Sequence, residues 1–290
     1  MESLKFFDGL RLRAVRRKIA ARCSECIFHF SRAMRNVFVK QVIFIIFFVI
    51  CQNSAYAWVE NFDNDLTKIG SDLARHKLIK LVPGQGIDGS NAIKIKYIGN
   101  EIGSQRIVLR ENLENPGLAY SLSFAVRFCE NFDFAKGGKL LGLGPLNPVA
   151  GGEKTTPLGW SARLEFYKGG QLMTYVYHQN MPRKYGDTKK AGDFRFEPGR
   201  YYKIRMNVIL NEPASQENGK IYVFVDGNEV IRHEGIKFRS VEGRDGLIQK
   251  FLFSTFFGGH SPEWAPRTAD GQYKVECAYF DDFSINELKN

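Results

Sequence analysis

Apolar and polar side chains alternate with a period of two from Trp58 onward, and this restricts the fold more than any other feature of the chain. Ala92-Ile93-Lys94-Ile95-Lys96-Tyr97 sets isoleucines against lysines. Ser121-Leu122-Ser123-Phe124-Ala125-Val126-Arg127-Phe128 alternates over eight residues. Successive side chains of a strand point to opposite faces, so these runs predict half-buried β-strands. Similar runs occupy 161–167, 173–177, 201–210, 221–225, 250–256 and 277–285. Turn signals separate them: Pro83-Gly84, Asn115-Pro116-Gly117, Lys168-Gly169-Gly170, Pro198-Gly199 and Asn218-Gly219. Val225-Asp226-Gly227-Asn228 predicts a tight hairpin, because Asp-Gly readily supplies the positive φ angles such a turn needs. No apolar stretch of the body keeps a helical period beyond two turns, and there is no repeat or interior linker. Many short strands without a βαβ rhythm predict an all-β fold, a jelly-roll β-sandwich of the concanavalin-like kind. The 24 phenylalanines suit a core between two sheets.

The formal charge of +10 first suggests a nucleic-acid binder, but most of it is local. Residues 1–57 hold ten basic side chains (Lys5, Arg11, Arg13, Arg16, Arg17, Lys18, Arg22, Arg32, Arg35, Lys40) against Glu2, Asp8 and Glu25. The body is only mildly basic, which argues against nucleic acid as partner. The same leader has one apolar run, 42–50, too short to span about 30 Å of hydrocarbon. Ala55-Tyr56-Ala57 follows with the small residues a signal peptidase reads. The expectation is a secretory signal cleaved after Ala57, with a possible true start at Met34, and a single domain over 58–290. An uncleaved anchor with a basic tail is the alternative. A secreted or periplasmic monomer, free of the membrane after cleavage, follows. Cys23-x-x-Cys26 has zinc-like spacing but no second pair. Cys129 and Cys277 remain after export, and in an oxidising compartment they could pair.

Three segments have polar faces that could carry chemistry. Lys136-Gly137-Gly138-Lys139 places glycines before a lysine, but lacks the Ser/Thr and following helix of a phosphate loop. Read alone, it is a loop with a solvated lysine. Ser161, Arg163, Glu165 and Tyr167 share one face of a strand, which by itself suits plain surface. Tyr175 and Tyr177 project from one face about 7 Å apart, with His178 pointing away if the strand continues. They suit either a cross-strand aromatic ladder or phenols over a sugar-binding groove.

Taken in order, these segments resemble the family 14 polysaccharide lyases, jelly-roll enzymes that cleave alginate and related uronates. The resemblance rests on KGGKLLGL (136–143), GWSARLEFY (159–167), YVYHQN (175–180) with KYGD (184–187), the stretch 198–211, the Asp226-Gly227 hairpin and FSTFFGGHSPEWAP (253–266). It covers about half the chain. Leu141 stands where the family has a proline, the 144–158 loop is individual, and 58–130 matches only loosely. The resemblance implies β-elimination at a uronic acid: loss of the C5 proton, departure of the O4-linked sugar, and a C4–C5 double bond. Such a site must neutralise a carboxylate, supply a base and protonate the leaving oxygen. Carried over, Lys139 and Arg163 would hold the carboxylate, and Tyr175 or Tyr177 would be base, acid or both. Ser161, His178 and Gln179 would contact the sugar.

Free tyrosine and lysine titrate near about 10 and 10.4, so neither is a ready base at neutral pH. Cations beside a phenol favour its ionised form, which predicts a neutral-to-alkaline optimum. The histidines of the body, His76, His178, His233 and His260, are scattered in sequence. No cofactor or metal is expected, and a chelator should leave activity intact. A sandwich glycosidase would need two carboxylates flanking the bond, and no E-x-D-x-x-E strand occurs. A non-catalytic carbohydrate-binding module is the stronger rival. The joint presence of Lys139, Arg163 and both tyrosines favours the enzyme.

Overall fold

The structure, a computed structural model, describes residues 57–289. The signal segment, the start at Met34 and the Cys23/Cys26 spacing lie outside the described residues. What is described is two antiparallel sheets. The first has nine strands. Its path runs β13 (Asn228–Ile236), β12 (Gly219–Val225), β11 (Tyr201–Ile209), β6 (Ala119–Phe128), β15 (Val275–Glu287), β3 (Ala92–Asn100) and β2 (Ile79–Val82). Two short strands complete it, β1 (Ala57–Glu60) on β15 and β4 (Gly103–Ser104) on β3. The second sheet has six strands, β10 (Lys190–Arg195), β9 (Gln171–Tyr177), β8 (Ser161–Tyr167), β7 (Gly137–Gly144), β14 (Ile248–Phe257) and β5 (Ile107–Gly117). A two-turn helix, α1 (Lys68–Ala74), starts at Thr67, whose hydroxyl accepts the Gly70 N–H.

Every strand expected from alternation is present. Leu122, Phe124, Val126 and Phe128 of β6 turn into the core with Ile93, Ile95 and Tyr97 of β3. The lysines and Arg127 between them face out. The β12–β13 hairpin turns at Asp226 and Gly227, with φ of 48° and 86°, as the Asp-Gly pair requires. One expectation fails. Residues 136–143 are not a loop: 137–144 form β7, a central strand whose Lys139 side chain is only 14% exposed. All seven glycine and leucine residues of β7 are buried, and strands pair with it on both edges.

Phenylalanines close the sandwich as their abundance suggests. Phe128 of the large sheet lies 5.3 Å from Phe166 of the small one, ring centre to ring centre, and Phe280 lies 6.0 Å from Phe253. A polar link in the middle of this core is a 2.7 Å hydrogen bond between the Tyr97 and Thr255 hydroxyls. It satisfies both groups where leaving either alone would cost about 1–3 kcal/mol. Cys129 and Cys277 form a disulfide with Cα atoms 5.4 Å apart at a sequence separation of 148. It ties the end of β6 to the start of β15. A loop that long restricts the unfolded chain strongly, so Cys129→Ser with Cys277→Ser should lower unfolding free energy by about 2–5 kcal/mol in urea titration. An unchanged midpoint would show that the bond contributes nothing.

Candidate active site

The outward face of the six-stranded sheet brings Lys139, Ser161, Arg163, Tyr175 and Tyr177 together. Register does this. Ser161 is opposite Tyr177, Arg163 opposite Tyr175, and Glu165 opposite Lys139. Because 161, 163, 165, 175 and 177 share parity, all five side chains emerge on one face. Between Lys139 and Gly142 the register of β7 slips by one residue against both neighbours. Leu140 and Leu141 sit in that irregularity, where the ladder is interrupted. Gly142 supplies room on the same face: a Cβ there would lie 2.5 Å from the Arg163 Cγ.

The cluster is nearly dry. Arg163 is 7% exposed and Tyr177 is fully buried. Lys139 makes an ion pair with Glu165, and its ammonium lies 3.3 Å from the centre of the Tyr175 ring. The Arg163 guanidinium carbon is 5.7 Å from the same ring. Arg163 donates a long hydrogen bond (3.4 Å) to the Ser161 hydroxyl, which itself donates to the Val149 carbonyl at 2.7 Å. The Arg163 Nε has no partner. The tyrosine rings meet edge to face at 5.6 Å, their hydroxyls 3.4 Å apart. Gly152 N–H donates to the Tyr177 hydroxyl at 2.8 Å, so the individual 144–158 loop lies over that phenol. Pro148, Val149 and Ala150 of this loop form a small cleft with Arg163, Arg110, Leu252 and Ser254.

Electrostatics here are lopsided. Burial pulls the Lys139 ammonium well below the ordinary lysine range, and Arg163 and Arg106 push the same way. Arg163 is lowered too, first by burial, with Arg110 adding to it and both phenols opposing it. Tyr175 is raised, first by burial and then by Tyr177, while Arg163 and the Gly186 N–H oppose the rise. Two buried cations, backed by Arg106 and Arg110, thus face the single carboxylate of Glu165. A second anion would relieve this imbalance.

The structure does not bring His178 and Gln179 into the cluster. His178 lies past the end of β9, and its Nε2 is 3.4 Å from the Asp187 carboxylate. That carboxylate is equally close to His233, which bonds Thr174 from the inner side of β9. Burial lowers both histidines. The Gln179 amide donates to the Thr156 and Phe238 carbonyls, each at 2.9 Å, and pins the 144–158 loop. Sequence reasoning left out four contributors: Glu165, Arg106, Arg110 and the Gly152 N–H. Glu165 was visible on the right face of its strand. The arginines were hidden because 107–110 reads apolar apart from Arg110, and a backbone donor leaves no sequence signal.

The polysaccharide lyase 14 family matches over residues 98–283. The chain belongs to that family. It is therefore a carbon–oxygen lyase acting on polysaccharides. No curated protein matches this lyase in sequence. Solved structures share its fold. An alginate lyase, Aly36B, in a complex of a lysine-and-tyrosine-to-alanine mutant with alginate tetrasaccharide, superposes with a TM-score of 0.66 at 19% identity. That match covers 81% of this chain and 98% of the other. The PL-14 alginate lyase of Aplysia kurodai gives 0.61 at 23% identity, covering 80% and 98%. The alginate lyase vAL-1 from Chlorella virus gives 0.55 at 23%, covering 73% and 90%.

If Glu165 supports the charge of Lys139, Glu165→Gln should move the lysine titration to lower pH, since a neighbouring negative charge is lost. NMR titration of the 13Cε resonance of Lys139 reads this. A midpoint that stays in place would show that the pair is not electrostatically coupled.

Proposed function

We propose that this lyase cleaves a uronate-containing polysaccharide, of the alginate or glucuronan type, by β-elimination at the Lys139–Arg163–Tyr175–Tyr177 cluster. The observation that supports this best is the excess of buried cation beside a phenol pair. A uronate carboxylate placed against Lys139 and Arg163 meets the charge that Glu165 leaves unbalanced. Its neutralisation acidifies the C5 proton by stabilising the enolate-like charge that forms on the carboxylate. The C5–H electrons then form the C4–C5 double bond, the C4–O4 bond breaks, and the leaving oxygen takes up a proton. The hydroxyls of Tyr175 and Tyr177, 3.4 Å apart, stand where one proton can be accepted and another returned. Ser161 holds the guanidinium in place rather than reaching for the sugar. That alginate lyases of the same fold bind alginate oligosaccharides supports an acidic polymer as substrate. A disulfide and the secretory character of the leader support action outside the cytoplasm.

The tests follow the double bond, whose conjugation with the carboxylate absorbs in the ultraviolet. Wild type should release unsaturated products from alginate or glucuronan. Lys139→Ala should lower kcat/KM by on the order of 10²–10³, the scale of losing one preorganised charge. Tyr175→Phe and Tyr177→Phe should each lower kcat by about 10²–10⁴ if both carry protons. Binding of the polymer with no unsaturated product at any pH would instead identify a carbohydrate-binding module.

The pKa directions also fix the shape of the pH profile. A phenol base must be deprotonated, and Tyr175 is raised, so kcat/KM should climb through neutral pH into the alkaline range. Lys139 must stay charged, and it is lowered, so the climb should level off where the lysine loses its proton, below the ordinary lysine value. A maximum in acid would contradict the phenol mechanism.

A further inference from the structure

The other broad face of the molecule carries a feature the reaction does not use. Across the outward side of the nine-stranded sheet, five residues stand directly opposite one another on adjacent strands. Tyr201 of β11 faces Arg127 of β6, Arg127 faces Tyr279 of β15, Tyr279 faces Lys94 of β3, and Lys94 faces Lys80 of β2. The Arg127 guanidinium is held between the Tyr201 and Tyr279 rings, 4.7 and 4.2 Å from their centres, and Lys94 lies 5.2 Å from the Tyr279 ring. The Tyr201 hydroxyl and Arg127 both bond the Gln85 carbonyl, which fixes that end of the row. Beside the row, Arg205 lies over the Phe224 ring at 4.1 Å, above a shallow groove floored by Ser123, Ala125 and Ser284.

Charge makes this row unusual. Lys80 and Lys94 are like charges directly opposed across two strands, an arrangement that destabilises a sheet. Among the described residues, neither lysine, nor Arg127, nor Arg205 is in an ion pair. Two carboxylates lie near the Tyr201 end of the row: Asp281 is buried and committed to the Ile87 N–H and the Ser90 hydroxyl, and Asp282 is exposed at the edge of the groove. Arg127 and Lys94 thus lie two strands apart, about 10 Å, with the Tyr279 ring between them, and Lys80 follows on the next strand. An extended polyuronate suits that rhythm. Its rings offer apolar faces to tyrosine, and its carboxylates on one side of the chain recur every second sugar.

We propose that this row is a second, non-catalytic binding surface for the acidic polysaccharide on which the lyase acts. The inference rests on the uronate reading of the active site, and it names the same polymer at a separate place. A chain long enough to engage both faces is held near the cleft by mass action, while a short oligosaccharide gains nothing.

Binding, not turnover, tests it. Full chain carrying Lys139→Ala is titrated with alginate polymer, glucuronan polymer and alginate tetrasaccharide by calorimetry. Adding Lys80→Ala and Lys94→Ala should weaken binding of the preferred polymer on the order of ten-fold and tetrasaccharide binding far less. The thermal midpoint should hold or rise, because an opposed like-charge pair is removed. Unchanged polymer affinity overturns the proposal, and so does a fall in thermal midpoint without a change in affinity, which would make the row structural. Equal weakening toward RNA or anionic phospholipid vesicles also overturns it, showing a general polyanion surface. Arg127→Lys is the second variant, keeping charge but loosening the ring stack, and should weaken polymer binding by a smaller factor. Failure of the active-site reading appears separately, as absence of unsaturated product from wild type, and leaves the titration readable.

Discussion

Lys139 and Glu165 meet across β7 and β8 on a sheet face that water scarcely reaches, and the rest of the site is arranged around that pair. Two charges taken out of water lose hydration that their attraction only partly restores. Here the debt is larger, because Arg163 is buried beside them and, among the described residues, has no carboxylate of its own and no partner for its Nε. A core built for stability would put hydrophobic residues at these positions. The arrangement is coherent only with a further anion in view. A carboxylate placed against the two cations would improve the electrostatics of the protein, which is the physical ground for reading this face as an anion site.

The sandwich makes such an arrangement possible through parity. Each functional side chain lies at an odd position of β7, β8 or β9, while Leu164, Phe166, Leu172 and Val176 fill the core from the even positions. A register slip of one residue would exchange the two sets, exposing the phenylalanines and driving the cations inward. The core therefore enforces the geometry of the site. The bulge in β7 is where that rule is relaxed by one residue, between the lysine and the glycine that gives Arg163 its room.

Sequence periodicity made the sheets legible because it reports half-burial, and most of the large sheet is half-buried. β3, β6, β11 and β12 could be read from it. β7 could not. It is covered on both faces, so its residues need no alternation, and Gly137-Gly138-Lys139 looks like a turn. The pairing of cysteines 148 residues apart depended on tertiary contact that no local pattern encodes. On the candidate site, the family motifs singled out Lys139, Arg163 and the tyrosines, and register explains why these side chains lie together. His178 and Gln179 were drawn in by adjacency in sequence. The strand ends at Tyr177, and beyond it the chain serves the neighbouring loop and the inner layer. Chain proximity is a poor guide once a strand has ended.

The loop at 144–158 joins the individual part of the chain to the cluster on the sheet. It departs most from the family pattern, yet it reaches the centre of the site: Val149 accepts the Ser161 hydroxyl, and Gly152 donates to Tyr177. Gln179 and the Ser240 N–H, which bonds Pro157, hold its far end against the body. A backbone N–H of this loop thus fixes the hydroxyl of a phenol on a different element. The loop also walls the small cleft beside Arg163, so a change in its length or sequence reaches the centre of the cluster while the strands that carry Lys139, Arg163 and the tyrosines stay as they are.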